Sequence, residues 1–252
     1  MKLRFTSAAA AALLLASIGL SNSVHAQSAA DSLAIAVMSN DAAMVRSALD
    51  AGVGVNENLG QGRTPLITAV IMTRPEAVKT LLERGANPNL QADDGGTGNA
   101  LTAAFFAGNG SALLGWEDHP DPSKSAAALE VLRLIAARHP DFNFLARRAM
   151  TQMTALMMAA EMGAVDAVKV LLDAGASPNF ANGGKYTALD YAVDRAPVMT
   201  HNSAADRVEV VRLLLAAGAQ TQRKGADGLS PVDRARRSGN QAVVSMLTAS
   251  RG

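Results

Sequence analysis

The run Leu81-Leu82-Glu83-Arg84-Gly85-Ala86-Asn87-Pro88-Asn89 returns later as Leu171-Leu172-Asp173-Ala174-Gly175-Ala176-Ser177-Pro178-Asn179, and its first part returns again as Leu214-Leu215-Ala216-Ala217-Gly218-Ala219. Internal repetition at this scale restricts a chain to stacked-unit architectures. Upstream of the three runs lie Arg63-Thr64-Pro65-Leu66-Ile67-Thr68-Ala69, Met153-Thr154-Ala155-Leu156-Met157-Met158-Ala159 and Tyr186-Thr187-Ala188-Leu189-Asp190-Tyr191-Ala192. Leu66 precedes Gly85 by 19 residues, and Leu156 precedes Gly175 by the same 19. Thr64 and Thr154 suit helix N-caps, where a hydroxyl accepts a bond from an orphan backbone N–H, and Pro65 suits the first turn. Gly85, Gly175 and Gly218 suit the end of a second helix, where a left-handed residue stops it.

The pattern resembles the ankyrin repeat, whose Thr-Pro-Leu-His-x-Ala opening and Leu-Leu-x-x-Gly-Ala close recur about every 33 residues. The resemblance covers nearly all of the chain after residue 26. It implies an all-α solenoid of about six helix-pair repeats joined by short inter-repeat β-hairpin loops, with units near 31–58, 59–91, 94–146, 149–181, 182–222 and 225–252. Unit one lacks the Thr-Pro-Leu opening, as suits a terminal cap whose outer face meets water. Its helices are predicted near Ser32 to Met38 and Ala42 to Ala51. Unit three opens imperfectly at Asn99-Ala100-Leu101 and closes with His139-Pro140 in place of Gly-Ala.

Two units are stretched. Leu101 to His139 is 38 residues, 19 more than the standard interval, and the excess is expected between Gly108 and Lys124. Leu189 to Gly218 is 29, ten more, expected around Ala196 to Ala205. Both insertions fall at the same inter-helix turn two units apart, so they project from one edge, as binding insertions in repeat proteins often do. Only 4% of residues are aromatic, against 49% hydrophobic and 18% charged, so the core rests on Ala, Leu, Val and Met. Leu81, Leu82, Leu171, Leu172, Leu214 and Leu215 are its expected second-helix members. Ala69, Ala103, Ala104, Ala159, Ala160 and Ala192 are expected where first helices pack closely.

In proteins resembling this one, partners are held by the hairpin tips and the exposed side of the first helices. By position that surface comprises Gln61, Arg63, Ile71, Met72, Phe106, Thr151, Met153, Glu161, Met162, Tyr186, Asp194, Arg195, Leu229 and Arg237. Aromatic, Met and Arg side chains with few lysines compose a typical protein interface. The larger insertion adds Trp116, Glu117, Asp118 and His119. Trp116 reads either as a partner anchor or as part of a Pro-stiffened loop folded back on the solenoid.

Other chemistry has weaker support. Metal binding by Glu117, Asp118, His119 and Asp121 would need neighbours on one loop to converge. Five methionines between Met150 and Met162 offer thioethers to Cu(I), yet phasing divides them, with Met158 inward and Met153 and Met162 outward, and adaptable packing explains them more simply. After residue 26 the histidines are His119, His139 and His201, and none sits in a hydrolase or metalloprotease motif. No cysteine is present, which removes disulfides, thiolate metal sites and Cys nucleophiles. No strand, Gly-rich turn and helix occur in series to cradle phosphate.

At the N-terminus, Lys2 and Arg4 precede an apolar run from Ala8 to Leu20, and Val24-His25-Ala26 fits a cleavage site before Gln27. Residues 1–26 therefore read as a secretory signal peptide. Thirteen apolar residues span roughly 20 Å, short of a hydrocarbon core of roughly 30 Å. The expected location is the periplasm, which lacks a nucleotide supply. Net charge is +1 for the whole chain and −1 after residue 26, a poor match to sequence-independent nucleic-acid binding. The resulting expectation is a monomeric, non-enzymatic protein-binding module with no cofactor, no nucleic-acid partner and no membrane contact after cleavage. Within the binding class, the alternatives are an immunity or inhibitor protein and a protective partner of a stress enzyme. A metal-binding protein using the methionines or the His119 loop is the alternative from another class.

Overall fold

The structure, a computed structural model, describes residues 29–59, 62–105, 122–148, 151–194 and 204–249. Its helices alternate between two rows. The first helices are α1 (Ala29–Met38), α3 (Pro65–Ile71), α5 (Ala100–Ala103), α7 (Ala155–Met162), α9 (Ala188–Asp194) and α11 (Pro231–Ser238). The second helices are α2 (Ala42–Asp50), α4 (Pro75–Glu83), α6 (Pro122–Ala136), α8 (Val165–Asp173), α10 (Ala204–Ala216) and α12 (Gln241–Ala249). One antiparallel strand pair, β1 (Ala146–Arg148) with β2 (Thr151–Met153), lies before α7, with Arg147 opposite Gln152.

Side chains fix where the first helices start. The Thr64 hydroxyl accepts the Ile67 N–H at 3.2 Å and the Thr154 hydroxyl accepts the Met157 N–H at 3.2 Å. In unit three Asn99 Oδ1 takes the Thr102 N–H at 3.1 Å. In units five and six a carboxylate reaches back to the cap: Asp190 accepts from the Thr187 N–H and hydroxyl, and Asp233 from those of Ser230. The second helices α4, α8 and α10 close at a left-handed residue. Ala86 N–H donates to Leu81 O, Ala176 to Leu171 and Ala219 to Leu214, each at 2.9 Å, around Gly85, Gly175 and Gly218 with φ of 85°, 102° and 84°. His139 takes this position in unit three with φ 47°.

A helix pair leaves one face apolar, and stacking covers it. In the second row α2 packs on α4, α4 on α6, α6 on α8, α8 on α10 and α10 on α12. In the first row α1 packs on α3, α3 on α5, α7 on α9 and α9 on α11. One continuous core results, from Leu33 to Leu247. Ala69, Ala103, Ala104, Ala159, Ala160 and Ala192 are all buried, as are Leu81, Leu82, Leu171 and Leu214. Leu172 and Leu215 differ from expectation and are half-buried. Each lies one residue, about 100° of helical turn, beyond its fully buried neighbour.

Both insertions are shorter than their sequence intervals suggest. Pro122 to Lys124 form the first turn of α6, and Ala204 and Ala205 that of α10. α6 has 15 residues and α10 has 13, against nine in α2, α4 and α8. Part of each excess therefore lengthens a second helix. Pro122 fits because a first-turn residue needs no backbone N–H. The rest of the two insertions, 108–121 and 196–203, lies outside the described residues.

Candidate functional site

Between one unit's second helix and the next unit's first helix the chain reverses in a short finger. Each finger is closed by a backbone bond: Leu59 N–H to Arg63 O, Ala92 to Gly98, Asn182 to Tyr186 and Gly225 to Leu229, at 2.7–3.1 Å, with the β1–β2 pair in the equivalent place before α7. Neighbouring fingers are also bonded to one another. Asp93 N–H donates to Gly62 O at 2.7 Å, Asn182 Nδ2 to Gln152 O at 2.9 Å and Ala226 N–H to Gly184 O at 2.9 Å. Behind them, Asn56 Oδ1 takes the Asn87 N–H, Asn89 Oδ1 that of Asp141 and Asn179 Oδ1 that of Gln220. These bonds tie neighbouring fingers to one another along one edge.

Charged side chains lock two finger pairs further. Arg63, expected on the binding surface, is half-buried and its Nε donates to Asp94 Oδ2 at 2.7 Å. Burial by itself raises the Asp94 carboxyl, but the Thr97 hydroxyl and N–H, Arg63 and the Gly96 N–H hold it well below the usual carboxylate range. Across units five and six, buried Arg234 donates from Nε to buried Asp190 at 3.2 Å and from one terminal nitrogen to Asp227 at 2.6 Å. Burial pushes the Asp190 carboxyl upward despite the bonds from Thr187 and Arg234. Asp227 is held down, its Leu229 N–H and Arg234 partners outweighing burial. Tyr186 covers this cluster, its ring 4.8 Å from the Arg234 guanidinium carbon and edge-on to Tyr191 at 6.2 Å between centroids. Gly225 is needed here because a Cβ would stand 2.5 Å from the Tyr186 ring.

The other surface residues separate by burial. Ile71 and Met72 are half-buried at the end of α3, Leu229 is half-buried on its finger, and Arg237 is exposed in the last turn of α11. Glu161 is half-buried beside Arg207, whose guanidinium burial makes less basic while the Glu161 charge opposes that change. Two expectations are corrected: Met153 and Met162 are each 1% exposed and belong to the core, as do Met157 and Met158, so none of the four presents surface to a partner. Met162 lies four residues after Met158 on the same helix face. Met153 immediately precedes the Thr154 cap, a position that favours an inward apolar residue. Thr151 lies in β2 and Asp194 ends α9. Gln61, Phe106, Trp116, Glu117, Asp118, His119, Met150 and Arg195 lie outside the described residues.

Sequence reading missed Asp94, Asn182, Asp190, Asp227 and Arg234, which fix the fingers, and Arg147, Lys185 and Lys224, which stand exposed on them. The turn signals Asp94-Gly95, Asn182-Gly183 and Asp227-Gly228 mark three of these places. Among the described residues no group of three or more His, Cys, Asp or Glu is arranged to hold a metal ion.

The family model for ankyrin repeats (three copies) matches residues 6–92 and 124–199. The chain belongs to the ankyrin-repeat family. An ankyrin repeat domain from Acinetobacter baumannii AYE superposes with a TM-score of 0.68 at 26% identity, covering 86% of this chain and 96% of that one. A chain from the complex of a predatory endopeptidase of Bdellovibrio bacteriovorus with an immunity protein superposes with a TM-score of 0.61 over 86% of this chain and 97% of its own length. At 21% identity, that likeness is one of fold. Among curated relatives, the ankyrin repeat, SAM and basic leucine zipper domain-containing protein 1 of Dasypus novemcinctus is 29% identical over 141 residues. The match covers 56% of this chain and only 25% of that relative, so the present chain corresponds to a fraction of it. An ankyrin repeat array is a protein-interaction module, and the fold is typically a non-catalytic scaffold.

Proposed function

We propose that this ankyrin-repeat protein is exported to the periplasm and there holds a protein partner, without catalysis, along its finger edge and the exposed side of its first helices. One observation carries the reading: successive fingers are hydrogen-bonded to each other, at Asp93 to Gly62, Asn182 to Gln152 and Ala226 to Gly184. A surface organised in advance loses little conformational entropy on binding. Arg237 and Tyr186, together with Trp116, Glu117, Asp118 and His119 of the larger insertion, are the proposed contacts, and the working form is a monomer without a cofactor. Export rests on Lys2, Arg4, the Ala8 to Leu20 run and Val24-His25-Ala26. No helix among the described residues is long and apolar enough to cross a membrane.

Affinity capture from periplasmic extract, followed by binding measurements with the purified captured protein, tests this reading. The expected result is a 1:1 complex weakened at least tenfold by Tyr186→Ala combined with Arg237→Ala. Failure of any purified candidate to bind, or turnover of a small molecule by the purified protein, contradicts it. N-terminal sequencing of the fractionated protein checks export, with Gln27 expected as the first residue and a retained Met1 counting against it. An inhibitor or immunity role is the second reading, favoured by the fold shared with a chain of the endopeptidase and immunity-protein complex. It requires the captured partner to be a hydrolase that loses activity in the complex.

A further inference from the structure

The charges of this chain are separated along the solenoid. Residues 27–145 contain 8 basic and 13 acidic side chains, whereas residues 146–252 contain 13 basic and 9 acidic. A net charge near zero conceals a negative first half and a positive second half. The finger edge shows the same polarity. Before α3 and α5, Arg63 is paired with Asp94, and Asp93 and Glu57 are exposed. Before α7, α9 and α11 the exposed charges are Arg147, Lys185 and Lys224, continued by Arg237 on α11. The acids of the last finger and of α11 are already engaged. Asp227 takes both oxygens to Arg234 at 2.6 Å, and Asp233 is bonded to the Ser230 N–H and hydroxyl.

The bonding between fingers places these cations in one row. Gln152, opposite Arg147 in the strand pair, accepts from Asn182 of the next finger. Gly184, adjacent to Lys185, accepts from Ala226, two residues from Lys224. Lys224 in turn acts on the Asp233 carboxylate, four residues before Arg237 on α11. Lys185 is held in the left-handed region with φ 60°, so the finger fixes where its chain emerges. Units packed helix to helix repeat at roughly 10 Å, and an extended segment of ten residues reaches roughly 33 Å. Such a segment spans all three fingers.

We infer that the basic finger row of Arg147, Lys185, Lys224 and Arg237 docks an acidic, extended polypeptide segment of the partner protein. This inference rests on the protein-binding reading above and specifies its partner. Exposed cations on such an edge attract a polyanionic segment at long range, and the attraction weakens as salt screens it. Arg63 is neutralised by Asp94, and exposed Glu57 and Asp93 of the first fingers repel the same segment, so its docking is confined to the second half of the solenoid.

The probe is a fluorescein-labelled deca-glutamate, titrated with the purified protein by fluorescence anisotropy at 50 mM and 300 mM NaCl. Deca-lysine and a ten-nucleotide oligothymidylate serve as comparison ligands. The expected result is binding of deca-glutamate alone, weakened at least tenfold by the higher salt. Arg147→Glu with Lys185→Glu should weaken it at least tenfold, and Lys224→Glu or Arg237→Glu severalfold, with helical circular dichroism unchanged. Asp93→Lys should leave affinity equal or stronger. Absence of deca-glutamate binding at 50 mM NaCl, insensitivity to the reversals, or equal or tighter binding of the oligothymidylate overturns the inference. A captured protein that still binds the reversed variants at full affinity removes the acidic-segment claim and leaves protein binding standing.

Discussion

Replacing Asn99 by threonine should stabilise this protein. Asn99 caps α5 and is fully buried. Its Oδ1 accepts the Thr102 N–H at 3.1 Å and the Thr102 hydroxyl at 3.2 Å, whereas its Nδ2 has no partner among the described residues. A buried donor left unsatisfied costs about 1–3 kcal/mol. Thr64 and Thr154 make the same cap in neighbouring units from closely similar extended backbone, so the hydroxyl introduced by Asn99→Thr would keep the capping bond. The threonine cap is weaker than that of asparagine by a few tenths of a kcal/mol, which leaves a net gain of about 1 kcal/mol. For a protein of this size that corresponds to about 2–4 °C in Tm. Urea unfolding followed by helical circular dichroism reads the change, with Asn99→Ala and Thr154→Ala as the calibrating pair. Thr154→Ala should cost about 1 kcal/mol, and Asn99→Ala distinctly less, because it removes the orphan amide together with the cap. An unchanged or lowered midpoint for Asn99→Thr, or equal losses for the two alanine variants, would refute the assignment of Nδ2 as unsatisfied.

His139→Gly should raise stability by about 1 kcal/mol in thermal melts, since φ 47° is costly for a residue with a Cβ and the equivalent positions are Gly85, Gly175 and Gly218. Arg234→Met should lower stability by about 3 kcal/mol by stranding buried Asp190, and adding Asp190→Asn should recover part of the loss in a double-mutant cycle. The carboxyls Asp94 and Asp190 should impose opposite pH dependences. Asp94 is held below its unfolded value, so its contribution is present above pH about 4 and is lost as pH falls; Asp94→Asn should flatten the acid limb of stability against pH. Asp190 is raised, so its contribution is present below its unfolded value and is lost as pH rises through its folded value; Asp190→Asn should remove that decline.

The solenoid is readable from sequence because its spacing has a physical cause. A hydroxyl cap, an alanine contact, a leucine pair and a left-handed glycine must occur in register for helix pairs to stack, so Thr64 to Gly85 and Thr154 to Gly175 declare two units. The binding surface is less readable, because the finger residues are sorted by contacts far apart in sequence. Arg234 meets Asp190 across 44 residues and Arg63 meets Asp94 across 31. An arginine 3% exposed is not expected from its residue type alone. Phasing from the repeat motif sets Met158 inward and Met162 outward, yet the two are four residues apart. The i, i+4 rule places both on one face, and the core holds both. The opening slot filled by Asp190 and Asp233 hides a carboxylate cap behind a departure from the family pattern.

Hydrogen exchange on the complex with the captured partner tests the central claim most directly. Partner binding should slow exchange in the fingers at 92–98, 146–153, 182–186 and 225–229 and along the first helices, while α2, α4, α8 and α12 exchange as they do in the free protein. Protection confined to the second-helix row, with the fingers unaffected, would contradict the account.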